Sequence, residues 1–191
     1  MMAMAAEQDE CQYGELQFKS GEHALQWAEE QLARVKCRGF YAQMVGGHSG
    51  VSWDEIQDCA STIMVTLTEV TDHRGREAYR AIYGQEASGG LDTLVEFVVD
   101  YLAKHLAARK RARADLEAIA SVAVMRARQT GHGWRKAPKA AYARELAVDR
   151  STIDNPGPAA LIKAAEEVVD DWVKRGESEF MELLRGKGVP V

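Results

Sequence analysis

The chain is 191 residues long, with 46% hydrophobic and only 7% aromatic residues and four prolines, enough for one good core or two small ones. An alanine-rich, aromatic-poor chain favours an all-α protein over a sheet protein, and with no apolar run as long as a membrane span no membrane partner is expected. The net charge of −5 argues against nucleic acid only if the charges are evenly spread, and they are not.

Residues 1–103 hold 7 Lys and Arg against 17 Asp and Glu, residues 104–150 hold 12 against 4, and residues 151–191 hold 5 against 8, giving −10, +8 and −3. A basic block inside an acidic chain is the footprint that phosphate binding requires. The alternative is a solvated helix face whose lysines and arginines pair with the acidic N-terminal half.

In chain order, residues 1–18 read as a mobile arm, polar and irregular. A first helix is predicted from Ser20, its cap, to about Val35, with an apolar stripe at Ala24, Leu25, Trp27, Ala28, Leu32 and Val35. GFYAQMVGGHSG, residues 39–50, is a glycine-rich loop in which His48 has no serine, cysteine or acid that sequence places beside it. Ser52 to Glu55 has the order of a capping box and opens a helix to about Val70 that buries Cys59. DHRGREAYRAIYG reads as a helix of about three turns anchored by Tyr79, Ile82 and Tyr83 and ended by Gly84.

Ser88-Gly89-Gly90 reads as a hinge between a helical region at 19–87 and another at 91–191, or as a joint within one bundle. The apolar helix beginning at Leu91 and running to Leu106 is expected to be central. It leads into AARKRARAD, where Arg109, Lys110 and Arg111 are placed to lie on phosphate, then into an alanine-rich helix from about Ala114 to Arg128. QTGHGWRKAPK follows as a loop able to grip a nucleic-acid backbone, with Trp134 expected to be buried as a plug rather than stacked on a partner.

The most informative stretch is KAAYARELAVDRSTIDN, residues 139–155. Ala143 is small enough for a second helix to approach, Tyr142 and Leu146 share the inner face, and Val148 and Ile153 fill the space between helices. Asp149 can cap a new helix whose first turn holds Arg150, Ser151 and Thr152, positions that a helix-turn-helix presents to base edges and phosphates. Where such a turn usually has glycine this chain has Ala147, tolerable if its backbone avoids the left-handed conformation. Pro156-Gly157-Pro158 should stop the second helix near Asn155. The alternative is a short helix, a loop and a well-capped helix in an ordinary helical protein.

Beyond it, an amphipathic helix with Glu166, Glu167, Asp170 and Asp171 facing out offers an acidic face, and Phe180, Leu183 and Leu184 form a separate short helix that could serve a homodimer. The fold expected is an all-α multi-helix bundle with a helix-turn-helix-like unit at about 138–155. No phosphate loop, H-E-x-x-H or nucleophile elbow is present, so no enzyme and no cofactor are expected. Cys11, Cys37 and Cys59 are far apart without a C-x-x-C pair, which suits free thiols in a reducing compartment better than a zinc site. MMAMAAEQDECQYGE lacks the order of a secretion signal, and a cytoplasmic location is expected.

ALQWAEEQLARV, AYRAIYG and AYARELAVDRSTIDN, followed by a final amphipathic helix, together resemble bacteriophage late-gene regulators of the Q antitermination type and related prophage proteins. The resemblance spans residues 24–175 and is most specific in its last stretch; it is to members without a cysteine-rich zinc finger. It implies a non-catalytic transcription regulator in a bacterial host that binds double-stranded DNA and acts on RNA polymerase. It further implies DNA contacts from Arg144, Arg150, Ser151, Thr152 and Asn155, with added phosphate contacts from Arg135, Lys136 and Lys139. A different class of function uses the acidic helices: a phage-encoded interaction protein or inhibitor that imitates nucleic acid.

Overall fold

Every regular element among the described residues is an α-helix: α1 (Gly21–Cys37), α2 (Trp53–Glu69), α3 (His73–Tyr83), α4 (Ala87–Lys104), α5 (Arg113–Gly131), α6 (Lys139–Glu145), α7 (Ser151–Asp154) and α8 (Pro156–Gly186). The computed structural model describes residues 16–37, 53–84, 87–104 and 111–191, with backbone alone at 35–37 and 87–89. The loop with His48, the Ser52 cap, and Arg109 and Lys110 lie outside the described residues. Two compact units emerge, one from the described residues up to Val70 together with Glu179–Val191, the other Thr71–Ser178.

In the first unit α1 packs on α2. Ser20 caps α1 as its sequence suggests, its Oγ accepting from His23 N at 3.2 Å. Ala24, Leu25 and Ala28 meet the same core as Cys59, Ala60, Ile63 and Leu67, and Phe180, Leu184 and Val189 are buried with them. Phe180 and Leu184 are therefore core residues and not a free dimer surface. The end of the supposed N-terminal arm also packs: Phe18 is buried, its N–H donates to Pro190 O at 2.9 Å, and its ring meets Trp27 edge-on at 5.1 Å. Burial of the Phe18 ring contributes about 2 kcal/mol toward the cost of ordering the chain around it.

The second unit is arranged around α3. Asp72 caps it by accepting from Gly75 N at 3.0 Å, and Gly84 closes it, donating to Arg80 O at 2.8 Å from an extended backbone. Its buried face consists of Gly75, Ala78, Tyr79, Ala81 and Ile82, mostly small residues that let neighbours approach. A Cβ on Gly90 of α4 would lie 3.6 Å from Ala81 Cα, and one on Gly131 of α5 would lie 2.6 Å from Ile82 Cγ2. Against α8 the approach is tighter still: a Cβ on Gly75 would lie 2.8 Å from Gly176 N, and one on Gly176 would collide with the Gly75 carbonyl.

These contacts correct two expectations. Ser88-Gly89-Gly90 is not a hinge but the first turn of α4, where the bare Gly90 faces Ala81. The C-terminal region is one helix of 31 residues rather than two, because Gly176, which costs helix propensity, is held in place by its contact with Gly75. A polar and aromatic layer adds to the α8 packing: Tyr101 meets Trp172 at 6.3 Å, the Arg74 guanidinium lies 5.5 Å from the Trp172 ring, and Arg175 reaches Asp72 at 3.3 Å.

Gly176→Ala should destabilise the protein by about 2–3 kcal/mol, since a backbone contact cannot yield as a side chain would, lowering the midpoint of thermal unfolding by roughly 5–10 °C. Gly186→Ala, whose Cβ would meet open space, should leave the midpoint unchanged or raise it slightly; equal losses in both variants would show that the crossing is not the constraint.

Candidate functional site

Residues 129–155 form one connected surface built on α5. The end of α5 is a Schellman cap: Gly133 has φ +68, its N–H donates to Thr130 O at 3.0 Å, and Trp134 N donates to Gln129 O at 2.6 Å. Gln129 then ties the loop to α6, for its Oε1 accepts from Ala137 N at 3.0 Å and from the Tyr142 hydroxyl at 2.7 Å. Burial raises the Tyr142 pKa above its usual 10.0, against the lowering effects of the Ala137 backbone, the Arg126 charge and the bond to Gln129.

The turn from α6 to α7 repeats the same cap with a different residue. Val148 N donates to Ala143 O at 3.0 Å and Ala147 N to Arg144 O at 3.3 Å, with Ala147 at φ +52. Of the non-glycine residues described, it is the one with positive φ; Gly133 and Gly188 hold the corresponding position after α5 and α8. The left-handed conformation that the sequence made a condition to avoid is therefore adopted, at the steric cost of a Cβ. Asp149 makes the expected hydrogen bond to a backbone N–H, its Oδ1 accepting from Ser151 N at 2.7 Å, while Arg150 holds the N-cap position of α7 without a side-chain cap bond. Hydrogen bonding to Ser151, side chain first and backbone second, holds the Asp149 carboxyl below its usual 3.8.

Tyr142, Ala143 and Ile153 are buried as the spacing required, and α7 ends at Asp154, before Pro156. Outward, Arg144, Arg150, Ser151 and Asn155 are exposed and Thr152 is half-buried. A shallow depression of about 380 Å³ opens between Arg144 and Arg150, with Ala140, Ala143, Ala147 and Val148 as its apolar floor.

The cations do not all stand free. Asp154 sits between Arg150 and Lys139, paired with the first and 4.0 Å from the second. Lys136 lies 3.3 Å from Glu166, which also meets Arg126 at 2.8 Å, close enough for an ion pair though off-line for a hydrogen bond. Glu166 is thus turned inward, contrary to the expectation that it faces solvent. Arg111 is half-buried, its guanidinium against Gly157 in the first turn of α8 and its Nε without a hydrogen-bond partner. Among the described residues Arg135 and Arg144 pair with no carboxylate. On α8, Glu167, Asp170 and Asp171 do face out, but each pairs one turn along, with Lys163, Lys174 and Arg175.

Trp134 is the clearest correction to the sequence reading: it is 60% exposed, not a plug, and stacks on His132 with centroids 4.8 Å apart and planes at 24°. Among the described residues no group of three or more His, Cys, Asp or Glu converges as a metal site, and no helix is long and apolar enough to cross a membrane.

Replacing Ala147 with glycine should relieve the left-handed strain and stabilise the protein by about 1 kcal/mol, a rise of roughly 2–4 °C in unfolding midpoint; a fall would mean the turn is not left-handed in solution. Because Asp149 has a folded pKa below its unfolded value, the stability it contributes is present above about 3.8 and disappears as pH falls through the lowered folded value. Asp149→Ala should accordingly unfold earlier than wild type at neutral pH, and the two curves should converge in strong acid. No protein-family model, curated protein or solved structure matches the chain.

Proposed function

We propose that this protein is a non-enzymatic, double-stranded-DNA-binding regulator that docks through the α6–turn–α7 unit and the cations Arg135 and Lys136 just before it. The observation that carries the reading is the pair Arg144 and Arg150, exposed on either side of an apolar depression in a unit whose Tyr142, Ala143 and Ile153 are buried. Guanidinium groups held in register by a rigid support suit phosphate and base-edge contact. Ser151, Thr152 and Asn155 adjoin them, and Arg135, Lys136 and Lys139 extend the cationic surface.

Because α7 is one turn long, few side chains reach base edges, and phosphate contacts supply most of the affinity. In the setting implied by the resemblance to Q-type late-gene regulators, such binding would serve transcription control, with a bacterial RNA polymerase as the protein partner. The opposite assignment, in which acidic helices imitate nucleic acid, gains little from α8, whose outward carboxylates are neutralised by cations of the same helix.

Binding to a random duplex should weaken steeply with added salt, and Arg144→Ala/Arg150→Ala should lower the slope of log affinity against log salt by about 2. Full retention of binding by the double variant, or no binding at low salt, would end the proposal. Asp154→Asn should strengthen binding several-fold, since it releases Arg150 and Lys139 and removes a negative charge from beside the phosphates; unchanged affinity would show that those two cations do not meet DNA.

A further inference from the structure

Trp134 stands out among the exposed residues, because a large aromatic ring left mostly in water usually has a partner to cover it. Its exposure does not come from a loose loop. The backbone is fixed on one side by the Schellman cap, through Trp134 N to Gln129 O, and on the other by Ala137 N to Gln129 Oε1. Below the indole lies His132, whose Nε2 is buried without a hydrogen-bond partner among the described residues. One face of the stack is therefore set against the protein, and the next residues along the loop, Arg135 and Lys136, are exposed cations.

We propose that the His132–Trp134 stack is a platform for one unpaired nucleobase, with Arg135 and Lys136 holding the phosphates on either side of it. An aromatic face already stacked beneath, rigidly presented and followed by two cations, matches the way single-stranded nucleic acid is held. A protein partner would need a wider apolar surface, whereas Val65 is the other large hydrophobic residue described as exposed, and it belongs to the first unit. The site deepens the DNA-binding reading, on which it rests only in the choice of nucleic acid as partner. It adds a preference for DNA in which a base is unpaired, to which the α6–turn–α7 unit is indifferent.

The test compares the full-length protein on a fully paired duplex and on the same duplex with a short central run of unpaired thymines. Wild type should bind the interrupted duplex on the order of tenfold more tightly. Trp134→Ala should lose that preference while keeping its affinity for the paired duplex, and Trp134→Phe should retain most of it. The fluorescence of wild type should be quenched by the interrupted duplex, and the quenching should be absent in Trp134→Ala.

Equal affinity of wild type for the two DNAs, or a preference that survives in Trp134→Ala, overturns the platform and leaves the duplex reading standing. Binding of the interrupted duplex alone upholds the platform and removes the duplex reading. If neither DNA binds, both fall, and the exposed tryptophan must be met by a protein.

Discussion

The crossing of α3 and α8 places two glycines, Gly75 and Gly176, in backbone contact, and much of the second unit follows from it. A side chain at either position would push the helices apart, and the separation would be felt at each contact that depends on where α8 lies. Glu166 meets Arg126 and Lys136, Arg111 reaches the start of α8 at Gly157, and Trp172 lies within reach of Tyr101 and Arg74. Small residues at helix crossings supply little apolar area of their own. What they supply is proximity, which turns loosely facing side chains into contacts at van der Waals distance.

The charges show the same dependence on placement. In sequence the block from 104 to 150 is an excess of cations, and in the structure it is an excess already partly answered: Glu166 and Asp154 each face two basic groups. Both acids come from beyond the block, so counting within it overstates the free positive charge. These pairs are partly exposed and each contributes little to stability. Their larger effect is to orient Lys136, Lys139 and Arg150, leaving Arg135 and Arg144 as the cations with no carboxylate partner among the described residues of this surface.

Helix identity was legible in the chain wherever the signal was local. Ser20 and Asp72 mark starts, Gly84 marks an end, and the apolar spacing of α2 and α3 fixes their buried faces. The spacing of residues 139–155 likewise foretold the burial of Tyr142, Ala143 and Ile153 and the hydrogen bond from Ser151 N to Asp149. What failed depended on partners far away in sequence. The last helix looked like two because what holds it continuous through Gly176, the contact with Gly75, is remote. Glu166 looked exposed because Arg126 is remote, and Trp134 looked buried because area alone favours burial. A glycine within an apolar helical pattern was the one available hint of a close backbone approach. The Gln129 bridge to Ala137 and Tyr142 left no sequence signal, since a glutamine near a helix end is ordinary.

Neither α6, with seven residues, nor α7, with four, has the length to hold helical structure alone. Their geometry is borrowed from the core: Ile153 and Tyr142 are buried against it, and Tyr142 is bonded to Gln129 of α5. The outward residues are thus positioned by inward ones, and Arg144 and Arg150 keep their separation because the residues between them cannot move independently. Ala147 belongs to this arrangement. Its left-handed backbone reverses the chain tightly enough to bring Val148 back to the end of α6, where it forms the floor of the depression between the two arginines. A glycine would make the same turn with less strain but would remove a methyl from that floor. Under the proposed DNA-binding function, an apolar surface between two guanidinium groups would suit the methyl of thymine, and the strained alanine would then have a role that an unstrained glycine would not fill.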